Sequence, residues 1–196
     1  MARAFTEQET DIILQKLKAS GRQCAAAQGV RKTTVDELAA DAEISKGAFY
    51  KFYPSKEMLF FEILEDMHTE IYEAAAVVLA QNQGKPAADR AAESILMACE
   101  MMAQSGMMDF MERDVLLLLR KVPMEVQEKH YHSDEVHIKE LLLNAGLEPE
   151  GGVELAVAAV RGLFLTISHR DNIGQLYPQV LDTLVRGTCQ RLFPEN

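Results

Sequence analysis

Apolar residues recur three and four apart along most of the chain, and strand-like alternation is hard to find, so the pattern predicts helices. The first opens with a capping box, in which the Thr6 hydroxyl caps the amides and Glu9 reaches back. Ile13, Leu17, Cys24 and Ala27 form its buried side up to Gly29. Gly21 in its middle is worse than Ala by about 1 kcal/mol, which close packing would explain. Thr34-x-x-Glu37 is a second capping box, with Val35, Leu38, Ala39 and Ala42 inward. Ser45 caps a third helix after three turn residues, with Phe49 and Phe52 inward, and Pro54 stops it. Ser55 caps a fourth that runs to about Ala80, with Leu59, Ile63, Met67 and Ile71 on one stripe. At 1.5 Å per residue this helix spans ~40 Å, enough to join a small head to a separate body.

A polar break over residues 81–86 precedes helices expected near 87–104, 107–120, 124–145, 153–169 and 175–192. Gly106, Pro123, Gly146 with Pro149, and residues 171–174 separate them. The fold class is all-α: a three-helix head (1–56) joined by a long fourth helix to a helical-bundle body (57–196), about nine helices in all. The last two helices are apolar almost all round. One stripe of each serves the core, and the remainder calls for a second chain.

Composition adds an asymmetry. The net charge is −10, yet residues 1–56 carry nine Lys/Arg against seven Asp/Glu, and the rest carries the whole acidic excess. Contact with a polyanion therefore belongs to the head. No apolar run approaches the ~18 residues of a membrane span, and the N-terminus lacks an apolar signal core, so a cytoplasmic, non-membrane protein is expected. Three widely spaced cysteines, Cys24, Cys99 and Cys189, fit a reduced compartment.

Residues 34–53 have the geometry of a helix-turn-helix: small Ala39 at the crossing, Leu38 and Ala42 before the turn, Ile44 in it, Phe49 and Phe52 after. With that core satisfied, Lys46, Gly47, Ala48, Tyr50 and Lys51 face outward, as on a recognition helix in a major groove. Hydroxyls of Thr33, Thr34 and Ser45, tyrosines and lysines suit phosphates. Spacing alone leaves a plain helical hairpin open.

The runs Thr33-Thr34-Val35-Asp36-Glu37-Leu38-Ala39 and Ile44-Ser45-Lys46-Gly47-Ala48-Phe49-Tyr50-Lys51-Phe52-Tyr53-Pro54-Ser55-Lys56-Glu57 closely resemble the DNA-binding head of the tetracycline-repressor (TetR) family. The motifs cover about residues 8–60; the remainder is similar only as a helical body of suitable length. The resemblance implies a homodimeric one-component transcriptional regulator, usually a repressor, released from palindromic operator DNA by a small-molecule effector. It implies DNA contacts by Thr33, Thr34, Ser45, Lys46, Gly47, Ala48, Tyr50, Lys51, Tyr53 and Lys56. It also implies a four-helix dimer interface, for which Leu155, Ala159, Gly162, Leu163, Val180, Leu184 and Leu192 are the candidates. Two departures stand out: Glu43 occupies a turn position where the family usually has Gly, and Cys24 with Ala25 replaces a larger apolar pair.

Seven of the ten methionines fall between Met97 and Met124. Met adapts its shape, so the residues expected to line an effector cavity are Met67, Ile71, Met97, Met101, Phe110 and Met111, against the plainer reading of a flexible core. His130, Asp134 and His137 share a helical face, and His132 lies between them. A solvated polar face outweighs metal binding there, because the two-Glu-x-x-His pattern of a di-metal bundle is incomplete. No nucleophile elbow, phosphate loop, dinucleotide fingerprint or HExxH occurs, so neither enzyme activity nor a cofactor is expected. The alternatives are a di-metal helical-bundle enzyme and a helical adaptor that binds only protein.

Overall fold

The computed structural model describes residues 5–81, 83–105 and 107–195; for Met107, Met111 and Ser168 only the backbone is described. Every regular element among the described residues is helical. The head comprises α1 (Glu7–Ala27), α2 (Val35–Asp41) and α3 (Lys46–Phe52). Side chains that cap their own first turns start them: Thr6 with Glu9, Thr34 with Glu37, and Ser45 onto the Ala48 amide. Leu17, Leu38, Ala39, Ala42 and Phe49 fill the centre of the head. On α1, Ala25 is buried and Ala27 exposed, a shift of the expected stripe. Gly21 is buried, and a Cβ there would collide with the Ile63 side chain, so close helix crossing is the reason for it.

The α2 end is closed by bonds from Ile44 N to Ala39 O (2.9 Å) and from Glu43 N to Ala40 O (3.0 Å). This pairing needs a left-handed residue at Glu43, whose φ is 57°. The Glu43 carboxylate pairs with Lys16, across on α1.

The long α4 (Lys56–Gln81) begins under the head, where Ser55 Oγ accepts from the Met58 amide, and continues into the body. Leu59, Phe60, Phe61, Ile63 and Leu64 are buried on it, and Ile71, Ala75 and Leu79 continue the stripe. Around it stand α5 (Ala87–Gln104), α8 (Met124–Asn144), α9 (Val153–Leu165) and α11 (Tyr177–Leu192), with a short α10 (Arg170–Ile173) before the last. The helix expected over 107–120 is one rod in three pieces: α6 (Met107–Phe110), a π turn (Met111–Val115) and α7 (Leu116–Leu119). The break expected at Gly106 lies outside the described residues.

A buried guanidinium closes the body. Arg90 Nη2 donates to Leu79 O (3.1 Å) and to Ala145 O (2.9 Å), near the ends of α4 and α8. Helix C-termini collect carbonyls without partners and partial negative charge, so a cation there is stabilised on both counts. No helix among the described residues is long and apolar enough to cross a membrane.

Candidate nucleic-acid interface and effector cavity

The outer side of α2–α3 carries Thr34, Ser45, Lys46, Gly47, Tyr50 and Lys51, all exposed, with Ala48 half-buried. Lys46 Nζ pairs with Asp36 at 2.8 Å, an exposed contact that solvent and salt screen. Lys51 lies 5.7 Å from the Phe5 ring centroid. Exposed Arg31 and Lys32 flank this face from the α1–α2 loop. Their charge was visible in the sequence, but not that the loop would display it beside Thr34.

Three of the expected contact residues serve the inside of the head in this conformation. Thr33 is 1% exposed, and its hydroxyl donates to Gly29 O at 2.9 Å. Tyr53 is 4% exposed; burial first, then the Glu62 carboxylate, pushes its phenol above the ordinary range. Lys56 donates to three carbonyls of the loop before α2: Val30 (2.8 Å), Arg31 (3.3 Å) and Thr33 (2.5 Å). A cation at the foot of α4 thus holds the loop that launches α2.

The same loop is held from the body. Asp114, on the π turn and 4% exposed, accepts a hydrogen bond from Val30 N at 3.1 Å. Gly29 makes room for it: its φ is 81°, and a Cβ there would stand 2.8 Å from Asp114 Oδ2. At the other side of the seam Lys121 pairs with Glu57 at 2.8 Å, and Lys18 and Arg22 of α1 pair with Glu62, Asp66 and Glu70 of α4.

The body encloses a cavity of about 200 Å³. Leu64, Ile71, Met102, Val115, Leu119 and Phe164 give it an apolar wall, and His68, Tyr72, His130, Asp134 and Arg161 a polar one. A second cavity of about 80 Å³ shares Ile71, Tyr72, Ile138 and Phe164 with it and is lined mostly by apolar residues of α4, α5, α8, α9 and α11. Of the six residues expected to line a cavity, Ile71 lines both. Met67, Met97 and Met101 are half-buried and Phe110 is buried in the core; none of them lines either cavity. The Met111 side chain lies outside the described residues. Of the methionine-rich stretch, Met102 and Met108 are buried in the core, Met102 also lines the cavity, and Met124 is exposed.

The polar wall corrects the expectation of a solvated face on α8. His130 is 5% exposed, packs edge-on against Phe61 and stacks on His68 of α4 at 5.0 Å. Burial first, against the opposing charge of Asp134, holds its imidazole below the ordinary value. Asp134 accepts from Tyr72 Oη (3.0 Å) and lies 3.2 Å from His68 Nδ1. Burial acts to raise its carboxyl, but the His68 contact and the neighbouring imidazoles leave it lowered. His137 stacks on Tyr72 instead, and His132 is exposed.

On the last helices, Leu155, Gly162 and Leu184 are exposed and Ala159 and Val180 half-buried, whereas Leu163 and Leu192 are buried within the single chain. Leu165 and Leu176, not among the candidates, are more than 60% exposed.

Residues 18–63 match the family described as bacterial regulatory proteins, tetR family. A 39-residue stretch is 49% identical to the uncharacterized HTH-type transcriptional regulator YuxN of Bacillus subtilis, covering 20% of this chain and 13% of that protein. The fold as a whole is similar to a TetR transcriptional regulator from Rhodococcus sp. RHA1 (TM-score 0.70, 16% identity, 95% of this chain and 98% of that one). It is also similar to Thermus thermophilus FadR, a TetR-family repressor solved with lauroyl-CoA (TM-score 0.64, 16% identity, 93% and 96% covered). Residues 18–63 thus carry the motif of the tetR family in the head, and the chain as a whole has the fold of these solved regulators.

Proposed function

We propose that the chain is a homodimeric transcriptional repressor that holds a palindromic operator through α3 and releases it when an apolar small molecule enters the body cavity. The observation that carries the reading is the outer face of α3: from Ser45 to Lys51 it offers hydroxyl, ammonium and phenol groups on a closed apolar core. Thr34, Arg31 and Lys32 extend that face for backbone contacts. Leu155, Leu165, Leu176 and Leu184, with Gly162 in open space, supply an apolar surface that a second copy would cover. The pairing sets two recognition helices about 34–36 Å apart, on successive major grooves.

The cavity walls favour an apolar body with one polar end, the polar end meeting the Tyr72, His130, Asp134 and Arg161 side. A thioester of a fatty acid, as in the Thermus relative, is one molecule of that class. Two paths lead from cavity to head, and both end on residues 29–33. Val115 touches the cavity while its neighbour Asp114 binds Val30 N. On α4, His68, Ile71 and Tyr72 touch the cavity while Lys56 holds the Val30 and Thr33 carbonyls. Complete release, from 99:1 bound to 1:99, would need ~5.5 kcal/mol of differential affinity, so a coupling of 1–3 kcal/mol gives graded release.

Selection from genomic fragments followed by footprinting tests the reading. A protected, roughly two-fold symmetric site bound by a dimer is expected; failure to enrich any sequence, or an asymmetric site bound by a monomer, overturns it. Coupling is reciprocal, so a ligand found by thermal-shift screening should bind the operator complex more weakly by the factor with which it weakens operator binding.

A further inference from the structure

We propose that His68, His130 and Asp134 form a site for a divalent transition-metal ion of the Zn2+ class in the wall of the body cavity. The three side chains come from two helices, and one donor atom of each lies within 4.8 Å of the others. Asp134 offers its oxygens to both imidazoles: Oδ1 is 3.2 Å from His68 Nδ1 and Oδ2 is 3.5 Å from His130 Nε2. Donors about 2.0–2.1 Å from a tetrahedral ion stand about 3.3 Å apart, so each separation is close to a coordination edge, one through each oxygen of the carboxylate. The two imidazoles lie stacked at 5.0 Å, and His68, whose side chain is 21% exposed, would turn its donor nitrogen toward that of His130 as the ion binds.

His130 gives the second observation. Its side chain is 6% exposed, and its nitrogens stand 3.5 Å from Asp134 and 3.8 Å from Glu65, at and beyond the outer limit of a hydrogen bond. A buried imidazole without a firm partner is costly, and here its Nε2 faces a carboxylate while its ring lies on a second imidazole. The surroundings are those of a ligand set with its orienting partners: Glu65 stands behind the outer nitrogen of His130, and Tyr72 Oη donates to Asp134. Two imidazoles and one carboxylate suit a borderline ion and leave a coordination position open. All three ligands line the cavity, so that position faces its interior and takes water or an oxygen donor.

The site stands on side-chain geometry and not on DNA binding, so it is tested apart from the operator. Metal-free full-length protein, dialysed against micromolar ZnCl2 and analysed for metal, should retain one equivalent per chain. Co2+ in place of Zn2+ should give the intense visible bands of a four-coordinate site. His68→Gln and Asp134→Asn should each weaken Zn2+ binding at least tenfold with helical content unchanged, while His132→Gln and His137→Gln retain it. Less than a tenth of an equivalent on the unmodified protein overturns the proposal. So does a full equivalent that survives both ligand substitutions, which would put the ion elsewhere. If neither ligand variant folds, the Co2+ spectrum of the unmodified protein decides, and a six-coordinate, nearly colourless spectrum rejects the site.

Discussion

The head and the body are built from the same kind of helix but specified at different ranges. In the head, residues three apart close each helix start, and the apolar contacts of α2 and α3 lie within a run of twenty residues. In the body, the cavity collects residues from Leu64 to Leu165, drawn from five segments. The seam between them adds single polar contacts, Asp114 to Val30, Lys56 to the loop carbonyls and Lys121 to Glu57, to an apolar core that continues from one into the other. Local devices make the outer face of the head, whereas distant ones make the cavity of the body.

The largest effects should separate the two regions. Phe49→Ala empties the centre of the head and should cost about 3–5 kcal/mol, abolishing operator binding. Arg90→Ala leaves two buried carbonyls of the body without their donor and should cost about 2–3 kcal/mol. Thermal melts with operator and ligand titrations check both. If Phe49→Ala also destroys ligand binding, the regions are less independent than this comparison holds.

Asp114→Ala acts on the seam. It strips a carboxylate acceptor from the Val30 amide, a bond to a charged group worth about 1.5–3 kcal/mol, partly offset because the carboxylate itself no longer has to be buried. We expect operator affinity without ligand to change less than the coupling, measured as the ratio of ligand affinities for free and operator-bound protein. A variant with unchanged coupling would leave α4 as the sole path.

Smaller effects concern the turn of the head. Glu43→Gly relieves a left-handed non-glycine residue and should stabilise by about 1 kcal/mol, less whatever the exposed Lys16 pair contributes. Thr34→Ala removes a capping box and should cost about 1 kcal/mol. Chemical denaturation of the pair gives opposite signs if the local account of the head is right.

The smallest effect is a reactivity contrast. Burial pushes the Cys99 and Cys189 thiols up to about 11, so in folded protein they stay protonated at pH 8, while half-buried Cys24 in the head is within reach. A thiolate exists only as pH rises through its pKa, so a thiol-specific reagent at pH 8 should modify one cysteine when native and three when denatured. Fast modification of Cys99 would mean that the body opens more readily than its packing implies.

What was legible in the sequence follows the same division. Thr6, Thr34 and Ser45 announce their helices because cap and capped amide are three residues apart, and Gly21 announces a close crossing. Lys56 was legible as a cation at a helix start, but not its three carbonyl partners, which come from 23–26 residues away. The stack of His68 on His130 was hidden, because it depends on how α4 and α8 lie together. The methionines misled for a physical reason: a side chain that adapts to a cavity adapts equally to a core or a surface, and among the described methionine side chains Met102 alone meets the cavity wall. Asp114 carried a faint signal, an acid just before the run Val115 to Leu119, which beside Asp109 and Glu112 reads on a helical wheel as an ordinary polar position.

The π turn has a consequence for how this chain can change length. Such a turn carries one residue more than an α-helical turn, so losing a single residue between Met111 and Val115 would restore a regular helix. Because the wider turn takes up that extra residue, the helices on either side would keep nearly their relative orientation, where the same loss from a regular α-helix would turn one against the other by about 100°. What the loss would disturb is the turn itself, from which Asp114 reaches the Val30 amide and Val115 the cavity. Insertions and deletions are ordinarily absorbed by loops at little cost. Here the rod has a place of its own where one residue can be lost while the helices on either side stay in line, at the expense only of the contacts that the turn makes.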